Sequence, residues 1–114
     1  MPLSPAPLSL EQTVDGLRAA GEATRLRVLG LLAREELAVA ELARILEQSQ
    51  PRVSRHLRLL TEAGLVERFP DGAWVFYRLT GREPWRGWML ALLGATEGGG
   101  VSPADAERLA AVQA

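Results

Sequence analysis

Gln48 and Ser49 are all that separate two stretches of helical apolar periodicity, and this shortness constrains the fold more than any other feature of the chain. Upstream, Leu42, Ala43, Ile45 and Leu46 put an apolar face on about two turns of helix. Downstream, Val53, Leu57 and Leu60 form one apolar stripe at about 100° per residue, with His56 and Leu59 on its flank. Two amphipathic helices joined so tightly must cross steeply to share a core, which is the geometry of a helix-turn-helix. The second helix also has marked ends. Ser49 offers its hydroxyl to an unpaired first-turn amide, and Pro51 falls where a missing amide proton costs nothing. Gly64 stands where the helix should stop, because glycine enters the left-handed conformation without a steric penalty.

The arc opposite that stripe carries Arg55, Arg58 and Glu62, bordered by Arg52 and Ser54, with Gln50 in the first turn. Arginine and glutamine have planar forks that match base edges in the major groove, and serine donates to a base or a phosphate. A solvated helix face has the same composition, so the surroundings decide between the two readings. Leu65 to Phe69 and Ala73 to Leu79 read as strands, and Pro70-Asp71-Gly72 between them predicts a hairpin turn with Gly72 at positive φ. A hairpin directly after a helix-turn-helix is a wing. Arg68 and Arg78, on its two arms, are within reach of a flanking phosphate or the minor groove, or else pair with carboxylates such as Glu67. The expected fold is mainly α with a β-hairpin wing, a winged helix-turn-helix whose partner is double-stranded DNA.

Overall charge at first opposes that reading, since 13 basic residues face 14 acidic ones for a net charge of −1. The distribution answers the objection. Between Ser49 and Arg68 lie Arg52, Arg55, Arg58 and Arg68 against Glu62 and Glu67, while Glu11, Asp15, Glu35, Glu36, Glu41 and Glu47 fall elsewhere. The lone histidine, His56, has no Ser, Cys or carboxylate at a spacing that suggests a triad, so no catalytic residue and no enzymatic activity is read from the chain. With no cysteine and one histidine, thiolate and imidazole ligands are too few for a metal site, and no cofactor is expected. No apolar run approaches the ~20 residues that span a bilayer, and MPLSPAPLSL lacks the basic start and continuous apolar core of a signal peptide. A cytoplasmic protein without a membrane partner is the expectation.

Both ends of the domain carry surplus apolar surface. Leu10, Val14 and Leu17 share helical spacing within Leu10 to Ala20, and Trp85, Trp88, Met89, Leu92 and Leu93 crowd one broad side of a helix over Glu83 to Leu93. A domain of this size cannot bury all of that alone, so these helices are the candidate dimer interface. Alternatively the tryptophans line a small-molecule pocket, and Gly87 would permit close approach of either a partner or a ligand. Beyond Leu93 the glycine-rich Gly94 to Val101 reads as a flexible linker, and Ser102-Pro103-Ala104-Asp105 as the opening of a helix to about Val112, which either begins a further segment of a longer chain or packs back on the dimer. The chain thus divides into a DNA-binding and dimerisation domain over 1–93 and a linker with a short helix over 94–114.

Taken together, EATRLRVLGLL (22–32), LAVAELARIL (37–46), SQPRVSRHLRLLTEAGLV (49–66) and the hairpin through Leu79 resemble the ArsR/SmtB-type winged-helix repressors over about two-thirds of the chain. The run of Ser54, His56, Leu57, Leu60, Gly64, Leu65 and Val66 is the most specific part of the match. The resemblance implies a bacterial transcription regulator, homodimeric through its first and last helices, that binds a pseudo-palindromic operator and is released by an effector. It also implies that His56 packs against the helix-turn-helix core and bonds toward the backbone. Metal sensors of this kind carry cysteines where this chain has Ala38 and Ala40, and a second set of Asp, His and Glu ligands on the last helix, where Gly81 to Gly94 offers only Glu83. Metal sensing is therefore not expected, which leaves as effector an unidentified small organic molecule in the region of Trp85 and Trp88, a product of an appended domain, or none. Some relatives continue into a methyltransferase, which gives the alternative reading of a dimerising or protein-docking module within a longer fused chain.

Overall fold

The computed structural model describes residues 6–114; residues 1–5, where the stretch read above for export signals begins, lie outside the described part. Ser9 caps the first helix, α1 (Leu10–Ala20), in a reciprocal box: its Oγ accepts from Gln12 N at 3.0 Å while Gln12 Oε1 accepts from Ser9 N at 2.8 Å. Helix α2 (Ala23–Arg34) follows after Gly21 and Glu22, and its Val28, Leu29 and Leu31 have no solvent exposure. A two-residue strand β1 (Leu37–Ala38) leads directly into α3 (Val39–Leu46), and then α4 (Gln50–Glu62). Strands β2 (Val66–Asp71) and β3 (Trp74–Leu79) form the wing, followed by α5 (Trp85–Gly94) and α6 (Pro103–Gln113). The core joins Leu29 and Leu31 of α2, Leu42 and Ile45 of α3, and Val53, Leu57 and Leu60 of α4, with Leu65 and Met89 closing it.

The sheet is antiparallel in the order β1-β3-β2, so β2 is an edge strand. This corrects the expected turn. Pro70 pairs opposite Val75 inside β2, where a missing N–H is tolerated because it lies on an edge strand, and the loop is Gly72-Ala73 rather than Pro70-Asp71-Gly72. Gly72 has the positive φ required, at 63°.

The glycine-rich stretch also differs from expectation. Residues Glu97–Gly100 wind into a 3-10 turn with Gly98, Gly99 and Gly100 at positive φ, and the turn lies against Gly30 of α2. A Cβ added at Gly30 would meet the Gly99 carbonyl oxygen and the Gly100 carbonyl carbon at 2.9 Å each. Glycine is needed there for close approach, and the segment is packed rather than free. Val101 and Leu109 join the core, so α6 lies on the winged helix.

Candidate nucleic-acid interface

Helix α4 is fixed by its ends and its inner face. Ser49 Oγ accepts from Arg52 N at 3.4 Å, Pro51 sits in the first turn, and at the far end Leu65 N donates to Leu60 O at 3.1 Å across Gly64, whose φ is 86°. That is a left-handed glycine stop, as expected from the sequence. Val53, Leu57 and Leu60 have no exposure, which leaves Gln50, Arg52, Ser54, Arg55 and Arg58 on the outer arc. Pro51, Ser54, Arg55 and Arg58 together line a shallow cleft of about 370 Å³. Arg58 has Glu62 3.8 Å away, but both side chains are about two-thirds exposed, so the pair is weak and the guanidinium remains available.

The turn before α4, and α4 itself, are tied to α2. Glu47 ends α3 in the left-handed conformation (φ 55°), and Gln48 Nε2 donates to Thr24 Oγ1 at 3.0 Å, joining the turn to the first residues of α2. His56 faces α2 from α4, its Nδ1 accepting from Arg25 Nη1 at 3.2 Å. The expected bond toward the backbone is made instead by Arg25, whose Nε donates to Ala19 O at 2.6 Å. Burial pushes the His56 pKa down; Glu22 opposes, and Arg25, Arg52 and Arg55 act in the same direction as burial. A neutral imidazole that accepts from an arginine is a structural part. Arg25, Thr24 and Gln48 are supports with no local sign in the sequence.

Strand alternation separates the two wing arginines. Arg78 pairs opposite Glu67, while Arg68 pairs opposite Tyr77, so they project from opposite faces of the hairpin. Glu67 accepts from Arg78 Nε at 3.1 Å, from Thr80 Oγ1 at 2.8 Å and from Gly81 N at 3.3 Å. The Thr80 bond above all, with Arg78 and Gly81 assisting, holds the Glu67 carboxyl below the usual range. Arg78 also lies 4.5 Å over the Phe69 ring. Arg78 is thus exposed but engaged with Glu67 within the wing, whereas Arg68 is exposed and in no ion pair among the described residues.

The candidate dimer residues divide in the same way. Leu10 is 82% and Leu17 51% exposed, with Val14, Trp88 and Leu92 part-buried. Trp85 and Met89, at 8% and 0% exposure, are core residues of the single chain and offer no surface to a partner, which corrects the expectation for both. Trp85 is wedged between Gly16 of α1 and Gly64 at the end of α4. Gly87 leaves room for the Glu83 carboxylate, which accepts from its amide at 3.0 Å. Leu90, 43% exposed, is apolar surface that the sequence pattern did not single out. Among the described residues no three His, Asp or Glu side chains gather as metal ligands.

The profile of the arsR family of bacterial regulatory proteins matches residues 22–68, which spans α2, the helix-turn-helix and the first part of the wing. The arsenical resistance operon repressor of Escherichia coli strain K12 is 48% identical over 62 residues, 54% of this chain and 53% of that protein, so this chain spans about half the length of that relative. The transcriptional activator HlyU of Vibrio cholerae is 36% identical over 88 residues, 71% of this chain and 82% of its own. Among solved structures, the homodimeric winged helix-turn-helix DNA-binding domain of Mb0332 from Mycobacterium bovis superposes with a TM-score of 0.68 at 31% identity, covering 78% of this chain and 82% of that one.

Proposed function

This chain belongs to the arsR family of bacterial regulatory proteins, and from that premise we propose that it is a sequence-specific DNA-binding repressor acting as a homodimer on a pseudo-palindromic operator. The observation that carries the reading is the outer arc of α4: Gln50, Arg52, Ser54, Arg55 and Arg58 stand exposed on a helix whose opposite face is locked by three fully buried side chains. In a two-fold dimer the two copies of α4 lie about 34 Å apart, one turn of duplex. The exposed Leu10, Leu17 and Leu90 supply apolar surface for such a dimer, with Val14, Trp88 and Leu92 at its edge. Repression follows from occupying promoter DNA. The chain brings no thiolate to a soft ion and has Ala38 buried in β1, so its regulation does not run through a cysteine metal site in this segment.

Arg52, Arg55, Arg58 and Arg68 give roughly eight cations per dimer, so log K should fall with log salt at a slope of up to roughly −7. Binding of the purified protein to its own promoter region tests the reading. Arg55→Ala and Arg58→Ala should each cost about 1 to 3 kcal/mol if the lost contact is a bidentate base pair. Unchanged affinity in both variants, or no salt dependence, sinks it.

A further inference from the structure

Asp105 is the buried carboxylate of the described residues, with no solvent exposure, and neither the wing nor the outer arc of α4 uses it. Both its oxygens accept from Arg27 of α2, from Nε and Nη2 at 2.9 Å each, and Oδ1 also accepts from Arg108 Nη2 at 2.9 Å. The hydrogen bonds from Arg27 hold its pKa below the usual carboxylate range against burial, so it is charged inside the fold. Arg108 is the second half of this arrangement. Its Nε donates to the Ile45 carbonyl in the last turn of α3, and its Nη1 lies 3.2 Å from Glu47 Oε1. Carbonyls in a last helical turn have no intrahelical partner, and a cation is favoured at that pole of the helix. Glu47 is also the left-handed residue that turns the chain toward Ser49, the cap of α4.

Resting on the DNA-binding reading above, we propose that Arg108 is a positioning residue for DNA recognition: from α6 it clamps the end of α3 and so fixes the angle at which α4 is presented. The Arg27–Asp105 pair supplies its foundation by docking α6 on α2, and Asp105 orients the guanidinium by holding one of its nitrogens. Helix α6, beyond the stretch matched by the family profile, thereby becomes part of the reading unit without being required to touch DNA.

The variant to compare with the wild type is Arg108→Ala, which leaves the Arg27–Asp105 pair in place. Amide hydrogen exchange on the free protein should show faster exchange at Glu47 and Gln48, whose amides bond back to Arg44 O and Ala43 O, with the Leu57 to Leu60 amides unchanged. Affinity for the specific duplex should fall by roughly 3- to 30-fold, while affinity for a random duplex, which is set by phosphates, stays the same. Glu47→Ala should lose less, and the double variant no more than Arg108→Ala alone; Arg108→Lys should recover part of the loss. Equal weakening on both duplexes identifies Arg108 as a phosphate ligand and overturns the proposal. Unchanged exchange at the turn overturns it whatever happens on DNA. Loosened turn amides in a protein whose wild type binds no duplex leave the clamp standing and refute the DNA reading, and with it the role in recognition.

Discussion

Replacing Gly16 by alanine separates two physical effects of opposite sign at one position. In an open helix interior the change gains about 1 kcal/mol, because alanine loses less backbone entropy and shields the backbone. Here a methyl group at position 16 would sit 2.5 Å from Trp85 Cζ3 and 2.8 Å from Cζ2, and nearer still to Cη2. Carbon atoms pack at about 3.5 to 4.0 Å, so the indole has to retreat by about 1.5 Å or more. It has little freedom to do so, being 8% exposed with Gly64 of α4 on another side. Overpacking of this kind costs about 1 to 3 kcal/mol, and a contact so far inside the normal separation belongs in the upper part of that range. The net expectation is a loss of about 1 to 2 kcal/mol, or roughly 4 °C in Tm for each kcal/mol. Urea denaturation followed by circular dichroism gives the number, at one fixed protein concentration because self-association would shift apparent stability. The decisive measurement is the same substitution in a Trp85→Ala background. With the indole gone, Gly16→Ala should stabilise, so the effect changes sign and the pair shows strong coupling. A Gly16→Ala protein as stable as the wild type, or more so, refutes the placement of Trp85 against α1.

Asp105→Asn should destabilise by about 2 kcal/mol, less than for a fully buried pair because the Arg27 side chain is 33% exposed. As the folded pKa of Asp105 lies below its unfolded value, its contribution is complete above roughly pH 3.9 and disappears as pH falls through the folded value; denaturation curves from pH 7 to pH 3 should be shallower in the variant at the acid end. Glu67→Gln releases Arg78 from its ionised partner and removes a negative charge from the wing, at a stability cost of under about 1 kcal/mol for so exposed a pair. Duplex affinity at low salt should rise, and a fall would show that Glu67 orders the wing for binding. Ser49→Asp keeps an α4 cap but adds a negative charge beside the arginine arc, so thermal stability should hold while duplex affinity drops; loss of both would mean that the introduced carboxylate does not replace the serine hydroxyl as a cap.

The helix-turn-helix was legible because everything that specifies it is local. The stripe of Val53, Leu57 and Leu60, the cap at Ser49, the proline at 51 and the glycine stop at 64 lie within sixteen residues of one another, and each acts on its own few neighbours. The wing was legible as a hairpin but shifted in its turn, because whether Pro70 ends a strand depends on strand order, and strand order is not a local property. Trp85 and Met89 were misplaced for a related reason. Helix α5 is apolar on most sides, so periodicity cannot say which side faces inward, and the answer lies with Gly16 and Gly64, 69 and 21 residues upstream of Trp85. Gly98 to Gly100 read as linker by composition, whereas their function in the fold is to let two backbones meet at Gly30. Asp105 was visible as a first-turn acid of α6, but its partner Arg27 is 78 residues away.

The charge pattern decides how affinity and specificity are shared between the helix and the wing. On the wing, the charges of Arg78 and Arg68 are balanced in number by Glu67 and Asp71, so the hairpin adds little net field beyond the one contact that Arg68 can make. Arg68, in no ion pair among the described residues, projects from the face opposite Arg78. On α4 the three arginines face a single exposed carboxylate, Glu62, and their field is strong enough that Arg52 and Arg55 both bear on the protonation of His56. Electrostatic attraction therefore concentrates on the same helix that carries the proposed base-reading side chains. A protein with net charge −1 and such a concentrated basic face gains little from non-specific contacts elsewhere on its surface. Under the function proposed above, discrimination between operator and random DNA rests on the angle of one short helix, and the proposed clamp on the turn before it, formed by Arg108 from the C-terminal helix, then acts on recognition from well outside the arginine arc.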